Sequence, residues 1–351
     1  MNSTQLPAEV LALLRRGTVI PAHLLALDAS RRLDPRRQRA LSRYYLDAGA
    51  GGLAVGVHAT QFAIREAGLY EPVLKLAAGE ARSWARIGPA RPLILIAGLA
   101  GNTAQARNEA AIALAHGYHA GLLSLAAMKG ASEDELVAHC AAVAAAIPLV
   151  GFYLQPAVGG IALSARFWRR FCAIENVVAV KVAPFNRYRT LDVAKGLVAA
   201  GAEDRVTLYT GNDDHIVLDL LVPLAVKRGS EEVRVRIKGG LLGHWSVWTK
   251  FAVALHEKLL KQKIDEDILA LDSKVTDANS AFFDVAHDFA GCIAGCHEVL
   301  RRQGLLEGLW CLDPKEGLSP GQAEEIDRVH AAYPEMNDDA FVRENLEKWL
   351  S

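Results

Sequence analysis

The sequence lacks long apolar runs, net charge and paired cysteines. No stretch approaches the roughly 18 to 20 apolar residues that a membrane helix needs, so no helical membrane span is expected. The formal net charge of −1 leaves no long-range field to recruit nucleic acid or an acidic lipid surface. Five cysteines, an odd number with no CxxC, argue against a disulfide framework and fit a reducing compartment. Met1 to Glu9 has no basic start leading into an apolar core, so no secretion signal is expected and the cytoplasm is the expected location. No GxGxxG or Walker signature follows any candidate strand. No internal repeat or low-complexity segment stands out.

What is present is an alternation of short apolar strands and helical patterns. The expected strands are Thr18–Leu27, Leu53–Val57, Leu93–Ala97, Gly121–Leu125, Leu149–Leu154, Val177–Ala183, Val206–Thr210, and Val233–Ile237 with the glycines after it. Between them, Asp34-Pro35 reads as N-cap and first residue of a helix through Asp47, closing at Gly49. Further helices are expected over Ile64–Ile87, Thr103–Ala115, Ser132–Ala146, Ser164–Ile174, Leu191–Ala200 and His215–Lys227. Ser132 with Glu135 resembles a capping box. Eight strands alternating with helices point to an α/β fold, a (β/α)8 TIM barrel, because right-handed crossovers close parallel βαβ units that way. From Trp245 onward only helices remain: Trp248–Lys261, Ile268–Leu271, Ala278–Gln303 and Gln322–His330. The expected domains are therefore a barrel over 1–244 with a short N-terminal helix, and a C-terminal helical extension over 245–351 packed on it.

Lys181 stands inside the apolar run Val177-Val178-Ala179-Val180-Lys181-Val182-Ala183. Strand side chains alternate, so the three valines at 178, 180 and 182 share one face, and Lys181 shares the other with two small alanines. A buried ammonium tends to lose its proton and become nucleophilic, which is what imine formation with a carbonyl requires. The plainer alternative is a lysine reaching to water from a strand end. On the fifth strand, Gly151, Tyr153 and Gln155 are expected to face inward, with Val150, Phe152 and Leu154 outward. Tyr153 would then meet Lys181 in one cavity and relay protons; otherwise it is a core aromatic hydrogen-bonded to backbone. On the second strand, Ala54, Gly56 and His58 are expected inside.

These residues carry a family resemblance. Tyr153-Leu154-Gln155-Pro156 resembles the Tyr-Asn-x-Pro segment of the dihydrodipicolinate synthase / N-acetylneuraminate lyase family. Val178-Ala179-Val180-Lys181 resembles its Gly-Ile-Lys segment, and Thr210-Gly211-Asn212-Asp213-Asp214 its Ser-Gly-Asp-Asp turn. The resemblance spans Thr18 to His244 in order and spacing, and the helical tail suits the family too. It implies a class I aldolase or lyase in which Lys181 condenses with pyruvate or another small 2-keto acid, with Tyr153 as proton shuttle. Gly211 would place a backbone carbonyl near the imine, and Gly211 and Asn212 would lie against the substrate. No cofactor or metal is implied, the imine itself being covalent, and the family's habit of assembly implies a homodimer or homotetramer.

The departures are local. Val57-His58-Ala59-Thr60-Gln61 replaces the family's Gly-Thr-Thr-Gly-Glu after the second strand, so His58 and Ala59 take the places of carboxylate-binding threonines. Met128 falls near a second relay tyrosine and Val158 at an arginine that binds the aldehyde substrate. These changes point away from strict dihydrodipicolinate synthase activity. His58 would serve as a carboxylate-binding imidazolium or an acid/base, or as a hydrogen-bonded histidine without catalytic duty. Two rival functions stay open: a catalytically altered relative that binds a keto acid or sugar acid without turnover, and a metal-dependent barrel aldolase using Asp213, Asp214, His215 and His58. Asp213 or Asp214 would more simply cap the next helix. Cys292 and Cys296, with Gly291 and Gly295, read as a small-residue stripe for close helix approach, or with His297 as metal ligands. Arg187, Tyr188 and Arg189 follow the lysine strand, as a carboxylate clamp or a solvated loop.

Overall fold

In the computed structural model, residues 1–85, 91–261 and 264–351 are described. In chain order the first elements are α1 (Ala8–Arg16), β1 (Val19–Pro21), α2 (Pro35–Ala48), β2 (Gly52–Val55), α3 (Tyr70–Trp84), β3 (Ile94–Leu99) and α4 (Thr103–Ala115). They are followed by β4 (Ala120–Leu123), α5 (Glu133–Ala144), β5 (Leu149–Leu154), α6 (Ala165–Cys172), β6 (Val177–Ala183), α7 (Arg187–Ala199), β7 (Thr207–Thr210) and α8 (Ile216–Leu221). A hairpin, β8 (Leu224–Arg228) and β9 (Glu231–Val235), precedes β10 (Ile237–Leu242). The remainder is helical: α9 (Thr249–Lys261), α10 (Glu266–Phe282), α11 (Cys292–Arg302), α12 (Gln322–Ala332) and α13 (Asp339–Leu350).

One eight-stranded sheet runs in the order β1-β10-β7-β6-β5-β4-β3-β2, and β8-β9 forms a separate two-stranded sheet. With helices between its strands and more helices at the C-terminus, this is a (β/α)8 TIM barrel, the expected class. Among the described residues no helix is long and apolar enough to cross a membrane.

The chain divides into two compact units, Met1–Thr18 with Pro92–Leu241, and Val19–Arg91 with Leu242–Ser351. In the first, β3 to β7 pair in parallel, and β10 pairs with β7. Ser132 and Glu135 form the expected capping box on α5. Outside β5 and β6, α6 turns Phe167, Trp168 and Phe171 into the core, where Gly196 of α7 permits close contact. A Cβ at Gly196 would lie 2.4 Å from the Trp168 Cβ and 2.7 Å from the Arg169 backbone nitrogen. In the second unit, Asp34 caps α2 through the Arg36 and Arg37 amides with Pro35 at its first position, and Gly49 ends it in the left-handed conformation. Gly295 lets α11 approach α10, since a Cβ there would fall 2.1 Å from the Phe282 carbonyl oxygen. That matches the small-residue stripe. All five cysteines are buried thiols.

Several expected boundaries differ. The first strand shortens to Val19–Pro21, because Pro21 leaves the ladder without a donor. The segment Val233–Val235 belongs to the antiparallel hairpin, and the last barrel strand is Ile237–Leu242. The helix expected over 215–227 stops at Leu221, ahead of Pro223. The one expected over 278–303 is broken between Phe282 and Cys292, where Asp284 and Asp288 adopt the left-handed conformation. The stretch after Ile64 is helical from Tyr70 to Trp84; its expected end at 86–87 lies outside the described residues. The last helix, α13, was not expected.

Gly196→Ala is predicted to destabilise the protein by about 2 kcal/mol, since backbone atoms of α6 cannot move out of the way. Urea denaturation, with a lower midpoint and an unchanged slope, checks it.

Candidate active site

Lys181 is the fifth residue of β6 and is only 8% exposed. The β-branched run buries the strand on both faces, as the valine and alanine pattern requires. On the lysine's face, Gly211 just beyond β7 makes room: a Cβ there would meet Lys181 Cε at 2.5 Å and Ala183 Cβ at 2.8 Å. Burial pushes the Lys181 ammonium down to about 8, and the carboxylate of Asp213 acts in the opposite direction. Asp213 is itself 5% exposed. The amine therefore lies in an apolar environment, with one nearby acidic side chain as its charge partner.

The side chain that faces Lys181 from β5 is Phe152. The two residues are register partners, and the lysine Nζ lies 4.5 Å from the centre of the phenyl ring. Tyr153 pairs with Val182 instead, on the opposite face of the sheet. There it packs against Trp168 of α6, and its hydroxyl donates to the Leu163 carbonyl and accepts the Leu163 amide, both at 3.1 Å. Its charged neighbours are Arg189 and Asp192 of α7, and burial raises its phenol. Gly151 shares that outer face, since a Cβ there would strike Phe171 and Trp168. The expected inward set Gly151, Tyr153 and Gln155 is thus reversed at its first two members, with Phe152 inside. Both faces of β5 are buried and apolar, so polarity along the strand does not mark which one lines the barrel. The register slips between Leu149 and Val150, and a one-residue slip exchanges faces.

A buried polar network fixes the turn beside the lysine. The Gly211 amide donates to the Val182 carbonyl at 2.7 Å. Thr210 Oγ1 donates to Asp219 Oδ2 at 2.6 Å, and Asn212 Nδ2 donates to the same oxygen at 2.9 Å and to Thr190 Oγ1 at 3.1 Å. Asn212 Oδ1 accepts the Phe185 amide at 3.0 Å, holding Phe185 in the left-handed conformation at φ 49°. Arg187 pairs with the other Asp219 oxygen, whose side chain is fully buried. Asn212, expected against the substrate, spends its amide on this network. Arg187 is a partner of Asp219, while Tyr188 is 83% exposed. The N-cap of α8 is His215, whose side chain makes no capping hydrogen bond, and not Asp213 or Asp214.

His58 and Ala59 lie in the second unit, in a 3-10 turn over His58–Thr60. His58 makes an edge contact with Phe62, and Ala59 is buried. Thr60 Oγ1 ties the turn together, accepting the Gly56 amide at 2.9 Å and donating to the His23 carbonyl at 2.7 Å. Gly56, expected to face inward, turns toward Tyr70 and Leu74 of α3, at φ 76°. Among the described residues no three His, Cys, Asp or Glu side chains converge in a way that would hold a metal ion.

No protein-family model matches the sequence, and no curated protein matches it. Solved structures do. The dihydrodipicolinate synthase of Acinetobacter baumannii, complexed with pyruvate, superposes with a TM-score of 0.73 at 17% identity, over 90% of this chain and 98% of its own. The N-acetylneuraminate lyase of Fusobacterium nucleatum gives 0.71 at 16%, over 91% and 99%. A Clostridium difficile relative complexed with mannosamine gives 0.73 at 15%, over 90% and 99%. The fold is that of the synthases and lyases.

Within this synthase-like barrel, the lysine expected from the resemblance is buried on the strand expected for it, and Gly211 abuts it. The tyrosine expected beside it faces the helices. Phe152 and Asp219 had no role in the sequence reading: a phenylalanine in an apolar strand gives no chemical signal, and the Asp219 network exists only once α7, α8 and β7 are assembled. Asp213 was visible, but as a cap or metal ligand.

Tyr153→Phe is predicted to cost about 1 kcal/mol of stability by removing the hydroxyl from Leu163, leaving reactivity at Lys181 unchanged within a factor of two. Asp219→Ala strips the acceptor from Thr210 and Asn212 and is predicted to cost about 3 kcal/mol. Urea melts of both variants, read beside lysine labelling, check these outcomes.

Proposed function

We propose that the chain is a Schiff-base-forming lyase or aldolase that condenses or cleaves a small 2-keto acid such as pyruvate through an imine on Lys181. The observation that carries the reading is the amine itself, buried in the space left by Gly211, where burial pushes its ammonium down to about 8. An amine with that pKa is partly unprotonated near neutral pH and is nucleophilic there. Its attack on the keto carbon forms the C–N bond. Protonation of the resulting hydroxyl then releases water and leaves the iminium, which stabilises a carbanion at the adjacent carbon.

Proton transfer in this scheme is assigned to Asp213. Its carboxylate is the charge to which Lys181 responds, while the Tyr153 phenol stands on the other face of the wall. As a carboxylic acid Asp213 protonates the carbinolamine hydroxyl; as a carboxylate it removes the proton from the adjacent carbon. A second reading, binding of a keto acid without turnover, is favoured by the phenyl ring of Phe152, which puts no proton donor where a phenol was expected.

Borohydride reduction in the presence of pyruvate is predicted to leave one reduced adduct on Lys181, the mass of the keto acid less the water lost and plus the two hydrogens gained, and none in Lys181→Ala. The trapping rate is expected to rise with pH through about 8, as the ammonium gives up its proton, and then to level off. Asp213→Asn removes the charge that favours the ammonium, so the midpoint moves to lower pH. Absence of an adduct, or an adduct retained in Lys181→Ala, ends the imine reading. An adduct without turnover on aldehydes and sugar acids selects the binding protein.

A further inference from the structure

A cavity of about 350 Å³ opens in the first unit at the N-terminal ends of β7 and β10. Its walls come from the end of α1, from Leu197 of α7, from the Glu203–Leu208 stretch, and from the chain leaving the β8-β9 hairpin. It is removed from the lysine along the inner face of β7, where Thr207, Tyr209 and Gly211 follow one another. Thr207 lines the cavity and Gly211 touches Lys181. Tyr209, between them, is tied by its hydroxyl to the Leu14 carbonyl at 2.8 Å.

The cavity lining is net positive. Arg15, Arg234, Arg236 and Lys238 line it against Glu203 and Asp204. Glu203 is bonded at 2.5 Å to Arg228, which is not part of the wall, so most of its charge is already answered. Arg236 gives one donor to the Leu221 carbonyl at 2.9 Å and keeps the rest of its fork. Among the described residues the carboxylate partner of Arg234 is the exposed Glu232, a pair of little strength in water. Among the described residues neither Arg15 nor Arg236 forms an ion pair. Val206, Leu208 and Val235 supply an apolar floor. Guanidinium forks over an apolar base suit a planar or tetrahedral oxyanion carried on a short carbon skeleton, and the volume is that of a small-molecule site.

We propose that this cavity binds a small organic oxyanion, a phosphate ester or a dicarboxylate, at the end of the barrel opposite the lysine. It also gives a use to the hairpin inserted before β10. The test is thermal unfolding at constant ionic strength, titrating inorganic phosphate in one arm and succinate in the other. A ligand that binds the folded state raises the melting temperature saturably. The expected result is a saturable rise with at least one of them, kept in Lys181→Ala and weakened at least tenfold in Arg15→Glu/Arg234→Glu, whose two positions are exposed. The arm that responds identifies the ligand chemistry, phosphate ester or dicarboxylate. Arg236→Gln, which retains a donor for Leu221, is the second variant should the first fold poorly, and carries the same expectation. No saturable rise, a rise untouched by these substitutions, or one lost in Lys181→Ala overturns the proposal. Because Lys181→Ala is expected to retain this response, its outcome is independent of imine formation.

Discussion

The structure turns on the burial of one ammonium. A lysine buried beside alanines, a glycine and a phenyl ring is a weaker base than in water, and the carboxylate of Asp213 opposes that loss. Full neutralisation by a close ion pair would return the amine to its ordinary basicity; complete isolation would lower it much further. The balance between burial and Asp213 leaves it near 8. Any chemistry ascribed to this barrel depends on that balance being kept.

What keeps it is the turn after β7. Gly211 must stay against Lys181 for the lysine side chain to have its space, and the turn is held by Asp219, Asn212, Thr210 and Thr190 together with the Val182 carbonyl. The Thr210 hydroxyl and the Asn212 side-chain amide find acceptors there, and a satisfied buried polar network gives rigidity. The strained Phe185 shows the same economy, its unusual backbone held by the Asn212 carbonyl. A residue that looked like a substrate contact thereby becomes part of the scaffold that shapes the contact.

The resemblance to synthases and lyases is one of fold at 15 to 17% identity. A Tyr-x-x-Pro segment persists in the sequence, yet its tyrosine holds α6 and the Leu163 loop. Motif spacing along a strand preserves order but not facing, because a shift of one residue in register preserves the letters and exchanges the two sides.

Strand and helix alternation, the cap at Asp34, the capping box at Ser132 and the lysine in its valine run were legible in the sequence, since each depends on neighbours within a few residues. Those local terms determined the barrel class and the reactive candidate. The face on which Tyr153 and Phe152 lie, the recruitment of Asn212 by Asp219, and the cationic cavity under β7 depend on residues brought together from separate elements. With β5 buried on both faces, only packing against β6 and α6 could decide between them.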